Sequence, residues 1–284
     1  MQTFDDIRTR FTALAGARTP PEWFVKLRAA SRPEPTNRRR VIGLSGGKDS
    51  TAMTLALMLH EPASYETAIT PTGDELPSMV LHWAMLELLM GQSLTVVGVR
   101  TLQGLIFEQR AIPNHRQRWC TRMLKLEPYY AWLGEQGPVV SYIGLRADEE
   151  SRPGMLFPDV GQVEMDFPMR RWGWVLADVL DFLAWCGVTV PDRTDCALCF
   201  WQTLAEWYFL WVDHRDRFER GVLLEDFVTE ARGSVFTFRS PGRDTWPAGL
   251  RELGAEFASG RIPAVSIMKA ERKRQIGACR ACTL

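Results

Sequence analysis

The segment VIGLSGGKDSTAMTLALML, residues 41–59, contains a short apolar run, a glycine-rich turn and a helix-spaced apolar series, in that order. The run Val41 to Leu44 is typical of a buried strand, because a short apolar run bounded by glycines suits the interior of a sheet. The segment therefore predicts a strand, a loop and a helix that follows the loop directly. Four apolar residues recur at i, i+3, i+4 and i+7 and so share one helix face: Ala52, Leu55, Ala56 and Leu59.

The same alternation continues along the chain. Further apolar runs suit strands at residues 67–70, 94–99 and 138–145, and the segments between them have helical spacing. Strands that alternate with helices predict a parallel sheet with crossover helices, so we expect an α/β, Rossmann-like doubly wound fold. Ligands of such sheets bind at the carboxyl ends of the strands.

The rest of the chain is predicted to form two flanking parts. Residues 1–38 suggest a helix followed by a proline-rich basic linker, and residues 39–172 form the predicted α/β domain. Residues 173–284 are predicted to be helical and irregular, and they carry five of the six cysteines. Within this C-terminal part the spacing predicts helices near 173–186 and 203–217.

The composition bounds the class of protein. Lys+Arg and Asp+Glu both number 34, so a strongly basic nucleic-acid-binding chain is not indicated overall. Six cysteines in 284 residues are too few for a disulfide-stapled secreted fold. The charged N-terminus lacks the apolar run of a signal peptide, and no apolar stretch reaches the ~18 residues of a membrane span. We therefore expect a cytoplasmic protein without a membrane segment, whose cysteines are reduced or bind metal.

The turn Ser45-Gly46-Gly47-Lys48-Asp49-Ser50 joins the first predicted strand to the first long helix. Its glycines allow sharp backbone turns, and successive amides at a helix N-terminus bind anions. The turn matches neither the Walker A pattern, since Asp49 follows Lys48, nor G-x-G-x-x-G. It predicts a phosphate or pyrophosphate site, and the alternative is a plain glycine turn with a good helix cap.

Four sequence elements, in this order, resemble one enzyme family. SGGKDS resembles the PP-loop of the adenine-nucleotide alpha-hydrolase superfamily, whose enzymes cleave ATP between the alpha and beta phosphates. The other three resemble the phosphoadenosine phosphosulfate (PAPS) reductase-like family: TGDELP at 72–77, WCTRMLK at 119–125 and GLRADEES at 144–151. The resemblance covers about residues 39–202 and implies a PP-loop type of nucleotide-binding sheet.

One departure from the PAPS reductases narrows what the resemblance implies. Those reductases usually lack the Lys-Asp pair of the loop, whereas this chain retains Lys48 and Asp49. In loop type it is closer to the ATP-using sulfurtransferases, which include DNA phosphorothioation and tRNA thiolation enzymes. The resemblance implies that the loop and Lys48 hold pyrophosphate, that Asp49 helps to position Mg²⁺, and that Asp74 or Glu75 lies near the ribose or the metal.

The resemblance also implies two sets of site residues. The expected catalytic residues are Lys48, Asp49 and Cys120. The expected nucleotide-binding residues lie on the loop and after the following strands: Ser45, Gly46, Gly47, Lys48, Asp49, Ser50, Thr72, Gly73, Asp74, Glu75, Gly144 and Arg146.

The cysteines suggest a metal centre. Cys196-x-x-Cys199 is a pair that can bind one metal, and a lone Cys120 before it resembles the iron–sulfur ligand pattern of sulfonucleotide reductases and phosphorothioation enzymes. This pattern supplies three thiolates, whereas a [4Fe–4S] cluster takes four, so one ligand must come from elsewhere. We expect Cys282 to supply it, and Cys279, Cys186 or a non-cysteine ligand are alternatives. Zinc suits the same thiols equally well.

The last C-x-x-C pair, Cys279 to Cys282, allows other interpretations. It can be a mobile redox or persulfide-carrying pair, or an incidental tail. Cys186, beside Trp185 in a predicted helix, suits a core thiol.

Basic residues surround Cys120, namely Arg116, Arg118, Arg122 and Lys125. Arginine binds phosphate in a bidentate manner, so this cluster can be a substrate phosphate or nucleic-acid backbone site. A solvated face with ion pairs is the equally open alternative.

Together these features predict an ATP pyrophosphatase that converts ATP to AMP and pyrophosphate and supports sulfur transfer to a nucleic acid or nucleoside. The expected cofactors are ATP, Mg²⁺ and a [4Fe–4S] cluster, with Zn²⁺ as the alternative. The expected partners are ATP or PAPS, a nucleic-acid acceptor, and a cysteine desulfurase or thiol donor protein. The alternatives are a sulfonucleotide (PAPS/APS) reductase, which is an oxidoreductase, and a non-catalytic nucleotide-binding module with a structural zinc.

Overall fold

A computed structural model describes residues 3–31, 36–149 and 162–275 of the chain. The strands are β1 (Arg39–Gly43), β2 (Glu66–Ile69), β3 (Thr95–Val96), β4 (Val139–Tyr142) and β5 (Val163–Asp166). The helices before β4 are α1 (Phe4–Ala13), α2 (Glu22–Ala29), α3 (Lys48–His60), α4 (Pro77–Met90), α5 (Leu102–Gln109), α6 (Trp119–Thr121) and α7 (Glu127–Glu135), with a π-helical turn at Arg122–Leu126. Those after β5 are α8 (Pro168–Arg171), α9 (Leu176–Cys186), α10 (Leu204–Asp213), α11 (Arg215–Arg232), α12 (Leu250–Ala258) and α13 (Ala264–Gln275).

The strands form one five-stranded sheet in the order β3-β2-β1-β4-β5, and every pairing is parallel. Ile42 of the central strand is in register with Thr67 on one side and with Tyr142 on the other. This is the strand order of a Rossmann-like α/β fold, so the predicted fold class is confirmed. The order reverses between β1 and β4, and the crevice at such a reversal is where these sheets bind ligands.

Helices cover both faces of the sheet. Successive residues of a strand point to opposite faces, so neighbouring residues of one strand pack in different cores. Ile42 belongs to a core that contains α3 and α9, whereas its neighbour Val41 packs in a second core with Tyr130 and Leu133 of α7. Helix α3 is buried along nearly its whole length. Its fixed position makes the start of α3 a rigid base for the loop that precedes it.

The C-terminal helices form a third core. Trp207 of α10, Phe218 of α11 and Leu253 of α12 pack together with Leu105 and Ile106 of α5. This cluster includes Ala197 and Leu198, which lie inside the C-x-x-C segment. The segment is therefore held between the sheet and the C-terminal helices.

Several elements differ from the sequence expectation. Strand β5 and helix α5 were not anticipated, and β3 is only two residues long. The helix expected at 203–217 is two helices, because His214 adopts non-helical angles (φ −138°, ψ 58°) between α10 and α11. In the described part of the chain no helix is both long and apolar enough to cross a membrane. The domain boundaries given above stay predictions.

Candidate functional site

The glycine loop lies between β1 and α3, at the sheet's point of strand reversal. Gly46 has φ +80°, a conformation that glycine adopts without strain. A Cβ atom at this position would lie 2.1 Å from Cε of Met79 and 2.5 Å from Nε1 of Trp83. Glycine is thus required here by both the backbone angle and the close contact with α4.

Hydroxyl groups fix the shape of this loop. The Ser45 and Ser50 Oγ atoms are 2.9 Å apart, and the Ser50 hydroxyl donates to the Gly47 carbonyl at 3.1 Å. The Gly47 amide in turn donates to Ser45 Oγ at 3.3 Å. The first amides of α3 have no acceptor within the helix, as at any helix N-terminus, so the loop and the helix start together form an anion site.

A buried charge network lies at the first turn of α3. Arg146 Nη1 donates to Oδ2 of Asp49 at 2.9 Å, and Lys48 Nζ lies 3.6 Å from the same oxygen. Burial opposes the charge on Arg146, but the Asp49, Asp148 and Glu149 carboxylates together outweigh burial and raise the pKa of the guanidinium. The other oxygen, Asp49 Oδ1, is buried and has no hydrogen-bond partner among the described residues. It is therefore available to a cation or a ligand group.

The segment after β4 packs directly on this turn. A Cβ atom at Gly144 would lie 3.1 Å from both N and Cα of Ser50, so glycine allows the close approach. Arg146 then uses its Nε to donate to Asp148 at 2.8 Å, and its amide donates to Glu149 at 3.2 Å. Gly144 and Arg146 thus lie beside the loop, and the described contacts of the Arg146 guanidinium are with carboxylates of the chain itself.

The segment after β2 connects the loop region to the C-x-x-C pair. The Thr72 amide and hydroxyl both donate to Glu75 Oε1, at 2.6 and 2.7 Å, and the Thr72 hydroxyl lies 3.3 Å from Sγ of Cys196. Asp74 accepts a hydrogen bond from the Leu198 amide at 2.8 Å and pairs with Arg220 of α11. These contacts position the cysteines against the carboxyl end of β2.

Three predicted cysteines line one cavity of about 230 Å³ together with the glycine loop. Ser45, Gly47 and Thr72 form part of its wall, and Lys125 lies beside the thiols. The π-helical turn that follows Cys120 carries Lys125; such turns are frequent at functional sites. The cysteines are Cys120, Cys196 and Cys199.

Burial raises the pKa of all three thiols, most strongly that of Cys199. Lys125 opposes this effect at Cys120 and Cys196, because a nearby positive charge favours the thiolate. Burial would lower the pKa of Lys125 itself, but Cys196, Glu75 and the other two thiols of the cavity together outweigh burial and raise it. The cavity is mostly apolar, and Lys125 places a cation among its sulfur atoms.

The thiols are chemically suitable metal ligands, but the described side chains are not arranged as a metal site. Thiolates are the ligands of iron–sulfur clusters and of structural zinc. Among the residues that the structure describes, however, no group of three or more His, Cys, Asp or Glu is placed to hold a metal ion. Cys279 and Cys282 lie outside the described residues. The cluster and its ligands stay a prediction. Cys186, by contrast, is buried in the α3–α9 core.

The basic residues near Cys120 divide into two groups. Arg118 and Lys125 line the cavity. Arg116 is exposed, and the guanidinium of Arg122 pairs with Glu127 at 2.6 Å; neither of these two residues lines the cavity. The cavity rim therefore carries positive charge from only part of the cluster.

Some residues that contact the glycine loop or the cysteine segment were not predicted from the sequence. His82 of α4 forms a hydrogen bond with the Gly46 backbone, and burial lowers its pKa to about 4, so its ring is neutral at pH 7. Trp83 of α4 donates from Nε1 to the Ser45 carbonyl at 3.4 Å. Arg220 and Asp195 were also missed, although Asp195 is one residue from the C-x-x-C pair. For Asp195, the position next to Cys196 was the one feature of the sequence that could have indicated a place in the site.

Comparisons with known proteins identify similar folds only. No family model and no curated protein matches the chain. One similar solved structure is PAPS reductase from Candida auris in a phosphate complex, with a TM-score of 0.42 and 14% identity over 68% of this chain and 91% of that one. Another is the U34-tRNA thiolase NcsA from Methanococcus maripaludis with its [4Fe-4S] cluster, with a TM-score of 0.42 and 14% identity over 75% and 77% of the two chains. A third is FMN adenylyltransferase from Candida glabrata with FAD and inorganic pyrophosphate, with a TM-score of 0.35 and 15% identity over 64% of this chain and 57% of that chain.

Proposed function

We propose that this protein is an ATP-dependent adenylating enzyme that forms AMP and pyrophosphate and supports the transfer of sulfur to a nucleic acid or nucleoside. One observation carries the proposal. The glycine loop and three thiols line the same cavity, through Ser45, Gly47 and the three cysteines. A phosphate-binding loop that opens onto sulfur atoms suits a reaction that needs both.

The loop residues would act on the triphosphate. The amides at the start of α3 would bind the beta and gamma phosphates, and the buried ammonium of Lys48 would balance their charge. Mg²⁺ would balance part of the negative charge of the phosphates. Among the residues that the structure describes, Asp49 Oδ1 is a buried carboxylate oxygen without a hydrogen-bond partner at the glycine loop, and it would suit such a cation.

The chemistry would proceed in two displacements. An oxygen of the acceptor attacks the alpha phosphorus, the bond to the beta phosphate breaks, and pyrophosphate leaves. A sulfur nucleophile then attacks the carbon that bears the adenylate, and the carbon–oxygen bond breaks with AMP as the leaving group. The thiol-lined cavity beside the loop would hold this sulfur, and Arg118 in its wall would contact the acceptor's phosphates.

The proposed partners follow from this scheme. ATP occupies the loop, and a nucleic acid or nucleoside supplies the oxygen that is adenylated. A cysteine desulfurase or a thiol donor protein would supply the sulfur, because the scheme consumes one sulfur atom in each turnover.

The deciding experiment measures binding of ATP and of PAPS by calorimetry on anaerobically purified protein, followed by a pyrophosphate assay with and without added RNA or DNA. We expect ATP binding and pyrophosphate release that increases with an acceptor. Lys48→Ala should lower this release by about 10²-fold or more, since it removes a preorganised charge. Lys269→Ala, an exposed lysine on α13, is the matched control.

Three results would contradict the proposal. Unchanged turnover in Lys48→Ala would remove the loop assignment. Binding of PAPS without pyrophosphate release from ATP would indicate the sulfonucleotide reductase instead. ATP binding without any AMP formation, in zinc-containing protein, would indicate a non-catalytic nucleotide-binding module.

A further inference from the structure

The loop between α11 and α12 contacts the aromatic wall of the cysteine cavity. Residues 233–249 form no helix or strand, and we call them the bridging loop. Connections of this length without secondary structure are uncommon in compact domains and are often functional. Within the bridging loop, Arg243 donates from Nη1 to the Gln202 carbonyl at 3.2 Å. Gln202 directly follows Trp201, which lines the cavity, so Arg243 is placed beside this wall.

The bridging loop also contacts a second wall segment of the same cavity. Ser240 Oγ lies 3.5 Å from Nδ1 of His115. His115 belongs to the turn 114–117, and the residues on either side of that turn, Pro113 and Arg118, both line the cavity. The bridging loop therefore joins two parts of the cavity wall that are far apart in sequence.

Hydrogen bonds inside the bridging loop fix its shape. Arg239 is 2% exposed, and its guanidinium donates to the carbonyls of Trp246 and Pro247 at 3.3 and 2.5 Å. It also pairs with the Asp244 carboxylate at 2.6 Å. Arg243 is thus carried by a loop with a defined hydrogen-bonded structure, and its acidic neighbour in the sequence already has a cation.

The charge of this region is positive. Arg118 is exposed in the cavity wall and forms no salt bridge with a carboxylate of the described part of the chain. The acidic residue of the wall, Asp195, pairs with Arg193 at 3.1 Å. Because the nearby carboxylates are paired with other arginines, Arg118 and Arg243 give this part of the surface an excess of positive charge. Arginine binds phosphate groups in a bidentate manner.

We propose that Arg118, Arg243 and Trp201 bind a single strand of nucleic acid, with the guanidinium groups on its phosphates and the indole ring against a base. This surface would receive the acceptor, so the inference rests on the proposed function and adds residues to it. Proteins that bind single strands combine cationic side chains along the backbone with aromatic rings on which bases stack. Trp201 is partly exposed, and its ring centroid lies 5.3 Å from that of Phe200, so both kinds of group are present.

The aromatic wall and the size of the cavity favour a single nucleic-acid strand over other polyanions. An acidic protein segment would use the arginines but has no flat base to stack on Trp201, whereas unpaired bases are commonly held by aromatic side chains. A cavity of about 230 Å³ has no room for a duplex, so the reacting base must be unpaired. The arginines would then hold the backbone outside while the base enters the cavity.

Fluorescence anisotropy of a labelled, mixed-sequence single-stranded RNA tests the proposal on the full chain, without ATP, over a series of potassium chloride concentrations. Each phosphate contact to a single strand contributes about 0.7 to the slope of log affinity against log salt. Arg118→Ala and Arg243→Ala should each reduce this slope by about 0.7, which is about fivefold in affinity at 0.1 M salt. Arg243→Lys keeps the charge and should keep the slope. Arg18→Ala, an exposed arginine between α1 and α2, is the matched control and should change neither quantity.

Trp201 should have a different signature, because stacking does not release counterions. Trp201→Ala should weaken binding about tenfold without changing the salt slope, and Trp201→Phe should retain most of the affinity. Circular dichroism of each variant shows whether the fold is kept.

Three results would overturn the proposal: no binding of the RNA by the natural sequence, equal salt slopes in Arg118→Ala, Arg243→Ala and Arg18→Ala, or displacement of the RNA by polyglutamate as readily as by unlabelled RNA. The last result would indicate an acidic protein partner. Failure of the proposed function looks different, since RNA would still bind in this way while ATP released no pyrophosphate. Pyrophosphate release from ATP with RNA binding unchanged in the arginine variants would keep the function and remove this surface.

Discussion

The hydroxyl oxygen of Thr72 lies 3.3 Å from Sγ of Cys196, across 124 positions of sequence. The same hydroxyl lies 2.7 Å from Oε1 of Glu75. A hydroxyl carries one proton, so it donates to one of these groups while it accepts from or only contacts the other. Thr72 therefore joins the end of β2 to the C-x-x-C segment through a single side-chain group.

Thr72→Val should separate this connection from the packing of the side chain. Valine keeps the branched shape but removes the hydroxyl, and the Asp74 amide, which donates to Thr72 Oγ1 at 3.3 Å, loses its acceptor. We expect the free energy of unfolding to fall by about 1–2 kcal/mol. Urea denaturation measures the change. Thr72→Ser retains the hydroxyl and should lose much less, and equal losses in the two variants would disprove the role of the hydroxyl.

The Asp49–Arg146 pair should be costly to break. Their side chains are only 5% and 8% exposed, so Arg146→Ala leaves the Asp49 carboxylate buried with Lys48 as its remaining described cation. Removing one partner of a buried ion pair costs about 3–5 kcal/mol. Arg251→Ala breaks a pair with Asp226 whose side chains are 63% and 49% exposed, and should cost less than about 1 kcal/mol. Similar losses of unfolding free energy in the two variants would argue against a buried network.

The sequence identified the parts of the fold that have a strong local pattern. The β1–loop–α3 unit has an apolar run, two glycines and helical spacing, and all three are found in the structure. Strand β5 was missed because VEMD at 163–166 is half polar, and its pairing with β4 supplies the stability that its own residues do not. The predicted helix at 203–217 covered only the start of α11 for a similar reason. The apolar spacing of α11 is weak, and its burial comes from α10 and α12.

The site was predictable where recognisable sequence motifs mark its residues. Cys120, Cys196 and Cys199 were expected together, and they do line one cavity. Contacts such as Asp74 with Arg220 join motifs that are far apart in sequence, and a charged residue in a helix gives no sign of its partner. The same holds for His82, which looks like any helix residue until α4 is placed behind the glycine loop.

Metal content tests the cysteine prediction directly. If the cavity thiols hold a cluster, anaerobically purified protein will contain iron and sulfide, and Cys196→Ala will lose both. Cys186→Ala is the matched control. The Cys186 thiol is buried in another core, so this variant should keep the metal. Iron and zinc are measured by elemental analysis, and Cys282→Ala tests the expected fourth ligand. Full retention of metal in Cys196→Ala would remove this residue from the ligand set, and zinc without iron would favour a structural site.

The stability of the C-terminal helices should depend on pH through Glu225 of α11. This residue is 6% exposed, and its carboxylate accepts hydrogen bonds from the Phe238 and Leu250 amides at 2.8 and 2.7 Å. Burial raises its pKa to about 8, and the two hydrogen bonds oppose this only in part. Since the folded pKa lies above the ordinary value of 4.5, the folded state prefers the protonated form. The stability from this group is therefore complete below about pH 4.5 and is lost as the pH rises through about 8.

Glu225→Gln isolates this effect, because glutamine keeps the shape of the side chain and does not ionise. We expect the free energy of unfolding of the natural sequence to fall relative to that of Glu225→Gln as the pH rises from about 4.5 to 8. Denaturant titrations across that range measure the difference. Glu219→Gln replaces an exposed carboxylate on the same helix, and its curve should run parallel to that of the natural sequence. If Glu225→Gln also runs parallel, then Glu225 ionises without cost and its burial does not control the stability of this part of the fold.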